Sequence, residues 1–281
     1  MISQLLAILV AISQLLAISR AVGIKQIESR SIMLSTTPAQ AFKKDYRTVV
    51  ILPIGSCEQH GPHLPIDTDL RIAQLLAEQL HQNVGNEQSI LLPAIPFSCS
   101  WEHKGIGTIA INVSTLATYI KDIAFSLKQW DTPMLLTLVN WHGGNDLMGA
   151  LASEISATIG LPTAVIPAIS QVGKAWDESD ITTAKEIHAG AIETSIVKAF
   201  WPRLITGTIK DEDHCEPQVK PAKAQAVMQA VGIRAVTTSG IWGAPERGDA
   251  KKGKLLINKL AVEMKCQVMK LLEIVNNQED H

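Results

Sequence analysis

Five side chains that bind metal ions or move protons fall within twelve positions of one segment: Glu58, His60, His63, Asp67 and Asp69. The segment runs from Gly55 through Ser56-Cys57-Glu58-Gln59-His60-Gly61-Pro62-His63-Leu64-Pro65-Ile66-Asp67-Thr68 to Asp69. Its two glycines and two prolines predict a rigid, non-helical loop, the setting that preorganised ligands need. Glu58 and His60 stand two apart, so extended backbone turns both to one face. Asp69 falls at the start of the next predicted helix. It can cap that helix there, but Thr68 or Asp67 caps equally well, which leaves Asp69 free for other work.

Two further clusters lie downstream. His142 sits between Asn140-Trp141 and the pair Gly143-Gly144, where backbone without side chains lets a metal or substrate approach closely. His188-Ala189-Gly190-Ala191-Ile192-Glu193-Thr194 places His188 and Glu193 at a predicted helix. A buried helix is an unfavourable place for either group unless it is paired or bound to metal. Imidazole and carboxylate together suit zinc, manganese or iron(II). One carboxylate bridging two ions holds them about 3.5–4 Å apart, where they bind and activate hydroxide.

The elements that must position these groups follow from hydrophobic patterning. Thr48–Ile54 is a continuous apolar run of strand length that ends at Gly55-Ser56. Such runs suit a strand covered on both faces, as in a parallel sheet. Ser89–Ile95, Pro133–Val139 and Pro162–Ile166 are three more. Residues 69–82 carry Leu70, Ala73, Leu76, Ala77 and Leu80 at amphipathic helical spacing. Leu147–Ile159, residues 188–200, residues 222–231 and Leu255–Asn276 also read as helices. Strands alternating with helices predict an α/β fold with a mostly parallel sheet, in which ligands bind beyond the carboxyl ends of the strands. The clusters at 55–69 and 140–145 both follow predicted buried strands, so both belong at one edge of that sheet. No linker or boundary interrupts residues 40–281, which are expected to form one domain.

Composition narrows the class. With 46% apolar and 19% charged residues the chain is an ordinary globular enzyme by balance, and its net charge of −2 offers no basic surface for nucleic acid or an anionic membrane. Cys57, Cys99, Cys215 and Cys266 are far apart, which favours reduced thiols in a cytoplasmic protein over disulfides. Residues 1–32 form an apolar N-terminal extension in which ISQLLAI at 2–8 recurs at 12–18. Three accounts of it stand: a translated repeat ahead of a true start at Met33, a disordered or loosely docked helix, or a membrane anchor.

LPIGSCEQHGPHLPIDTD at 52–69 resembles the opening signature of the creatininase (creatinine amidohydrolase) family. The run from Ser98 to Ile109, with Glu102-His103 and Gly107-Thr108, is similar to that family's second motif. Asn140–Asn145 resembles its third, usually Asn-Gly-His-Gly-Gly-Asn, and His188–Ser195 its fourth. Ser239–Pro245 is similar to a late Gly-Asp-Pro segment, so the likeness covers residues 47 to about 260. It implies a three-layer α/β/α sandwich, two divalent metal ions with zinc foremost and manganese or iron as alternatives, and a homo-oligomer, commonly a hexamer. It implies metal ligands at Glu58, His60, Asp69 and His142, with Asp69 as the bridge, and one further glutamate. In creatinine hydrolases proper that glutamate lies two residues after the third-motif histidine, where this chain has Gly144. The Gly-Gly branch uses the fourth-motif glutamate, here Glu193. Trp141 stands where glycine is usual, to stack on a planar substrate or to pack in the core.

The expected activity is hydrolysis of a C–N bond in a small or cyclic amide, with His188 as proton shuttle beside Glu193. Glu102 and His103 contact substrate or orient a ligand, although Glu102 also fits a surface-loop ion pair. His63 supports the loop, and His81 and His214 belong to the surface. Formamidopyrimidine deformylation and trimming of the mycofactocin precursor peptide are alternative activities within the branch. A catalytically inactive scaffold with the same fold is the alternative outside enzymology.

Overall fold

In the computed structural model, which describes residues 31–33, 39, 42, 46–85, 87–179, 181, 186–207, 209 and 221–279, five parallel strands form one sheet. The strands are β1 (Ser31–Met33), β2 (Thr48–Ile54), β3 (Gln88–Leu91), β4 (Met134–Asn140) and β5 (Thr163–Val165), ordered β1-β3-β2-β4-β5. Every pairing is parallel. The sheet therefore begins at Ser31, ahead of the domain start expected near residue 40. Residues 1–30, with the ISQLLAI repeat, lie outside the described residues.

Residues of β2 alternate between two cores. Val49 and Ile51 join one cluster with α1 (Thr68–Asn83), α4 (Ile169–Ser179), α5 (Ala191–Phe200) and α7 (Ala250–Glu279). Val50, Leu52 and Ile54 join the other, with α2 (Val113–Lys128) and α3 (Met148–Thr158). Strand β4 divides the same way, Leu135 and Val139 against Leu136 and Leu138. A strand buried on both faces needs helices on both, and that makes the three α/β/α layers. Helix α6 (Pro221–Val231) and four short 3-10 turns complete the described elements. No described helix is long and apolar enough to cross a membrane.

The apolar runs locate β2 to β5 to within a few residues. Helices α2 and α4 stand outside the helices read from the sequence. On α2 the buried residues Leu116, Ile120, Ala124 and Leu127 recur at helical spacing, while Val113, Tyr119 and Phe125 are exposed. The helix expected from residue 188 starts only at Ala191, because Ala189 takes a left-handed φ of 53° and Gly190 is extended. The last helix extends back to Ala250, where the Asp249 carboxylate caps it by accepting the N–H groups of Lys251 and Lys252 (2.8 and 3.0 Å). His81 is not a surface residue. It is buried under α1, with Nδ1 2.7 Å from the Ser89 hydroxyl, and burial lowers its pKa. His214 lies outside the described residues.

Leu76 is fully buried on the inner face of α1. Its replacement by alanine is expected to cost about 2–5 kcal/mol, read as a lower denaturation midpoint, since a rigid layer closes only partly around the cavity.

Candidate metal centre

The register of β2 and β4 brings the ligand segments together. Ile54 at the end of β2 pairs with Asn140 at the end of β4, and the Trp141 N–H donates to the Ile54 carbonyl (3.1 Å). The Gly55 N–H donates to the Ile95 carbonyl (3.2 Å). Three chain segments thus leave the sheet at one end, those beginning near residues 55, 96 and 141. A fourth segment meets them, where His188 and Trp242 exchange backbone hydrogen bonds at 2.9 and 3.1 Å.

Four imidazoles and four carboxylates converge there: His60, His103, His142 and His188 with Glu58, Asp69, Glu102 and Glu193. All four imidazoles are buried, as are Glu58 and Asp69, while the Glu102 and Glu193 side chains keep 15% and 14% of their exposure and so line the mouth. Asp69 is central. Its Oδ1 lies 3.4 Å from His60 Nε2, and its Oδ2 lies 3.1 Å from His142 Nδ1. Glu193 Oε2 faces His60 Nε2 at 3.6 Å, and Glu58 Oε2 faces His142 Nδ1 at 3.3 Å. His60 with Glu193 lies on one side of Asp69, and His142 with Glu58 on the other.

Backbone carbonyls decide which nitrogen of each ring carries a proton, because a carbonyl only accepts. His60 Nδ1 donates to the Glu58 carbonyl (3.1 Å), and His142 Nε2 donates to the Cys99 carbonyl (3.0 Å). His188 Nε2 donates to the Gln59 carbonyl (2.7 Å). The remaining nitrogens, His60 Nε2, His142 Nδ1 and His188 Nδ1, therefore turn lone pairs toward carboxylate oxygens. Lone pairs facing lone pairs at 3–4 Å repel unless a cation or an added proton lies between them. His60 Nε2 and Asp69 Oδ2 are buried without a hydrogen-bond partner, which marks where that charge is missing. Among the described residues, three sets of side chains offer ligand atoms close enough to share an ion: Glu58 with His60 and Asp69, His60 with His188 and Glu193, and Glu58 with His103 and His188. The donor set fits divalent metal ions such as zinc or manganese.

The electrostatics agree. Burial opposes ionisation of Glu58, but His142 and His103 hold its carboxyl well below the usual range. Burial likewise works against a charged His60, yet Asp69 and Glu193 push it well above an ordinary histidine. His142 is raised in the same way by Glu58 and Asp69 against the cost of burial. Burial raises the Asp69 carboxyl. For Glu193 burial is outweighed by His60, and its carboxyl falls to about 2. Burial takes His103 down to about 4 and His188 well below the usual value, so both are neutral rings.

Hydrogen bonds from outside the cluster hold its members in place. The Ser56 hydroxyl donates to Glu58 Oε2 (3.0 Å) and meets the Ser100 hydroxyl at 2.5 Å. The Ala189 N–H donates to Glu193 Oε2 (2.7 Å), which is what the left-handed turn at Ala189 accomplishes. Asn145 accepts the Cys99 N–H (3.2 Å) and donates to the Asn140 side chain (2.8 Å), tying the second motif to the third.

Glu58, His60, Asp69, His142 and Glu193 all lie in this cluster. Asp67 does not. It salt-bridges Arg71 (2.7 Å), leaving the α1 cap position without a side-chain bond and Asp69 turned inward. His63 stands one layer back, 2.9 Å from the Thr194 hydroxyl beside Glu193. Trp141 packs its ring in the core and points its Nε1–H at Glu193 Oε1 (3.4 Å). Glu102 is no surface-loop ion pair, since its Oε1 lies 3.5 Å from His142 Nε2 and burial raises its pKa. Sequence patterning overlooks Gln59, Ser56 and Ser100, which are uncharged and carry no ligand signature.

The family model described as Creatininase: Creatinine amidohydrolase matches residues 33–266. The mycofactocin precursor peptide peptidase of Mycolicibacterium smegmatis is 30% identical over 218 residues, which is 75% of this chain and 81% of that protein. Among solved structures, a Bacteroides fragilis protein assigned as a creatinine amidohydrolase superposes with a TM-score of 0.65 at 20% identity, covering 86% of this chain and 97% of its own. A creatininase described as a manganese form gives a TM-score of 0.65 at 17% identity, over 85% of this chain and 98% of its own. At these identities the structural matches establish the shared fold.

Gly144 is where a side chain is excluded. A Cβ there would strike the Cys99 carbonyl and the Glu102 carboxylate and come within 2.5 Å of His142 Nε2. Gly144→Ala is expected to displace His142 and weaken metal binding by about 10–100-fold in a chelator competition assay. Gly144→Glu should add no ligand. Tighter metal binding by that variant would remove the need for Glu193.

Proposed function

Because the chain belongs to the creatininase family and is a hydrolase of C–N bonds, we propose that it cleaves amides with the help of two divalent metal ions held between Glu58, His60, Asp69, His142 and Glu193. The observation that carries this reading is the placement of Asp69, with one oxygen toward His60 and the other toward His142. A carboxylate so placed serves as the bridge. Glu193 completes the set in place of a glutamate at 144, for which there is no room. When bound, the ions supply Lewis acidity and lower the pKa of water into the neutral range. Zinc is the foremost candidate for this donor set, with manganese or iron as alternatives.

The chain's own groups divide the remaining work. His188 is buried and its Nε2–H is committed to the Gln59 carbonyl, so Nδ1 is the atom that accepts a proton and returns it to the leaving nitrogen. Glu102, at the mouth and with its carboxyl raised by burial, contacts the substrate and hydrogen-bonds the amide. Trp141 holds Glu193 through its indole N–H, a use that fits its packed ring better than stacking on substrate. His103 is closed off from substrate and orients Glu58.

A peptide amide is the favoured substrate class. The peptide peptidase of M. smegmatis is similar over three-quarters of this chain, and Gly144 departs from the creatinine-hydrolase pattern. A homo-oligomer in the cytoplasm completes the proposal. Trp101, Ile106, Ile109 and Val113, each at least half exposed, support self-association, and free thiols at Cys57, Cys99 and Cys266 suit a reducing compartment.

Asp69→Ala is expected to abolish metal occupancy and turnover together. Full activity with two ions retained per chain would remove Asp69 as the bridge. Zinc- and manganese-loaded protein should hydrolyse short peptides in preference to creatinine and formamidopyrimidines in a chromatographic screen. Turnover of creatinine or a formamidopyrimidine alone would move the substrate class while leaving the metal centre standing.

A further inference from the structure

Gln59 is buried between the first motif and the late Gly240 segment. Both ends of its carboxamide meet backbone groups whose sense is unambiguous. Oε1 accepts the Gly61 N–H (3.1 Å), and Nε2 donates to the Gly240 carbonyl (3.1 Å). These two bonds decide which end is nitrogen. Gly240 takes φ +80°, and a Cβ there would strike the Gln59 carboxamide, so glycine at 240 is what admits the side chain.

The second proton on Gln59 Nε2 points at His103 Nδ1, 2.9 Å away. His103 Nδ1 is therefore an acceptor, and in the neutral ring the proton sits on Nε2. That N–H faces Glu58 Oε1 at 3.4 Å. The backbone carbonyl of the same Gln59 accepts His188 Nε2–H, which leaves the His188 Nδ1 lone pair 3.6 Å from the same Glu58 oxygen. The 3.2 Å approach of Gln59 Nε2 to His188 Nε2 joins two donors and is no bond. His103 and His188 lie with ring centroids 4.1 Å apart and planes inclined by 44°, and one residue sets them in opposite senses toward one carboxylate.

We propose that Gln59 is a positioning residue that sorts the site's imidazoles: it turns the N–H of His103 toward Glu58, so that this ring is not a metal ligand, while leaving His188 with a lone pair for the site. Three rings then offer nitrogen lone pairs and one offers a proton. The His103 Nε2–H faces Glu58 Oε1 at 3.4 Å and the Ser56 hydroxyl donates to Oε2 at 3.0 Å, so each oxygen of Glu58 has a donor beside it. The assignment corrects what proximity alone suggests, since Glu58, His103 and His188 are close enough to share an ion. It rests on the metal reading only through Glu58.

Long-range proton–nitrogen correlation spectra of the full chain labelled with nitrogen-15 histidine test this, recorded metal-free and after zinc loading. His103 should show a bare Nδ1 and a protonated Nε2 in both states. Gln59→Leu should release His103 into a mixture of tautomers and weaken zinc about tenfold in chelator competition. If Gln59→Leu does not fold, a second pair of variants carries the test. His103→Gln retains an N–H for Glu58 and should recover most of the zinc affinity that His103→Leu loses. Loss of the His103 Nε2 proton on zinc loading would overturn the proposal. So would an unchanged His103 pattern in Gln59→Leu, or equal losses in the two His103 variants. The metal-free spectrum reads the tautomer whether or not zinc binds, so a failure to bind zinc counts against the metal reading alone.

Discussion

Burying ionisable groups is the costliest feature of this protein. Glu58, Asp69 and four imidazoles are withdrawn from water at the end of the sheet, where an isolated charge is strongly disfavoured. Backbone carbonyls at Glu58, Cys99 and Gln59 then take one N–H from each of three rings and leave their other nitrogens facing carboxylates. Such an arrangement is stable only with positive charge between the groups. Protons meet that demand on His60 and His142, whose pKa values rise well above the ordinary value. Divalent ions meet it better, because each satisfies several lone pairs at once. The second layer of hydrogen bonds, the left-handed turn at Ala189 and the bare glycine at 144 all serve to hold this donor set in one geometry.

The sheet provides the rigidity. Parallel register between β2 and β4 ends at Ile54 and Asn140, so the chain leaves both strands at the same height. Bonds at Gly55 and Trp141 continue the ladder for one more residue before the loops diverge. With helices packed on both faces, the strand ends cannot shift without disturbing two cores. The fourth segment has no strand to hold it. Its attachment is the short exchange between His188 and Trp242, with Trp242 fully buried, so Glu193 is placed by a helix start and a tether.

Much of the centre was legible because ligand residues are chemically distinctive and cluster in sequence. Glu58, His60 and Asp69 share one loop, and His142 follows a buried strand, as binding beyond strand ends requires. The uncharged supports were not legible. Gln59 looks like a spacer between two residues of ligand type, and only the fold brings its carboxamide against Gly61, Gly240 and His103. Patterning also failed for His81, whose partner Ser89 lies on a neighbouring strand.

Taken by itself, the sequence determined the class of fold, the strands that matter and where side chains of ligand type cluster. These depend on local periodicity and on residue chemistry, both of which are written along the chain. Tertiary structure alone decided how the groups divide. Asp69 turns one oxygen to His60 and the other to His142, a Cβ at 144 would strike the Cys99 carbonyl and the Glu102 carboxylate, and the Gln59 carboxamide meets His103 Nδ1. Those distinctions depend on which carbonyl or carboxamide each ring meets across 40 to 180 residues of intervening chain, as in the Cys99–His142 and Gln59–Gly240 bonds. Spacing along the chain carries no record of that pairing, because the packing of the layers brings the partners together.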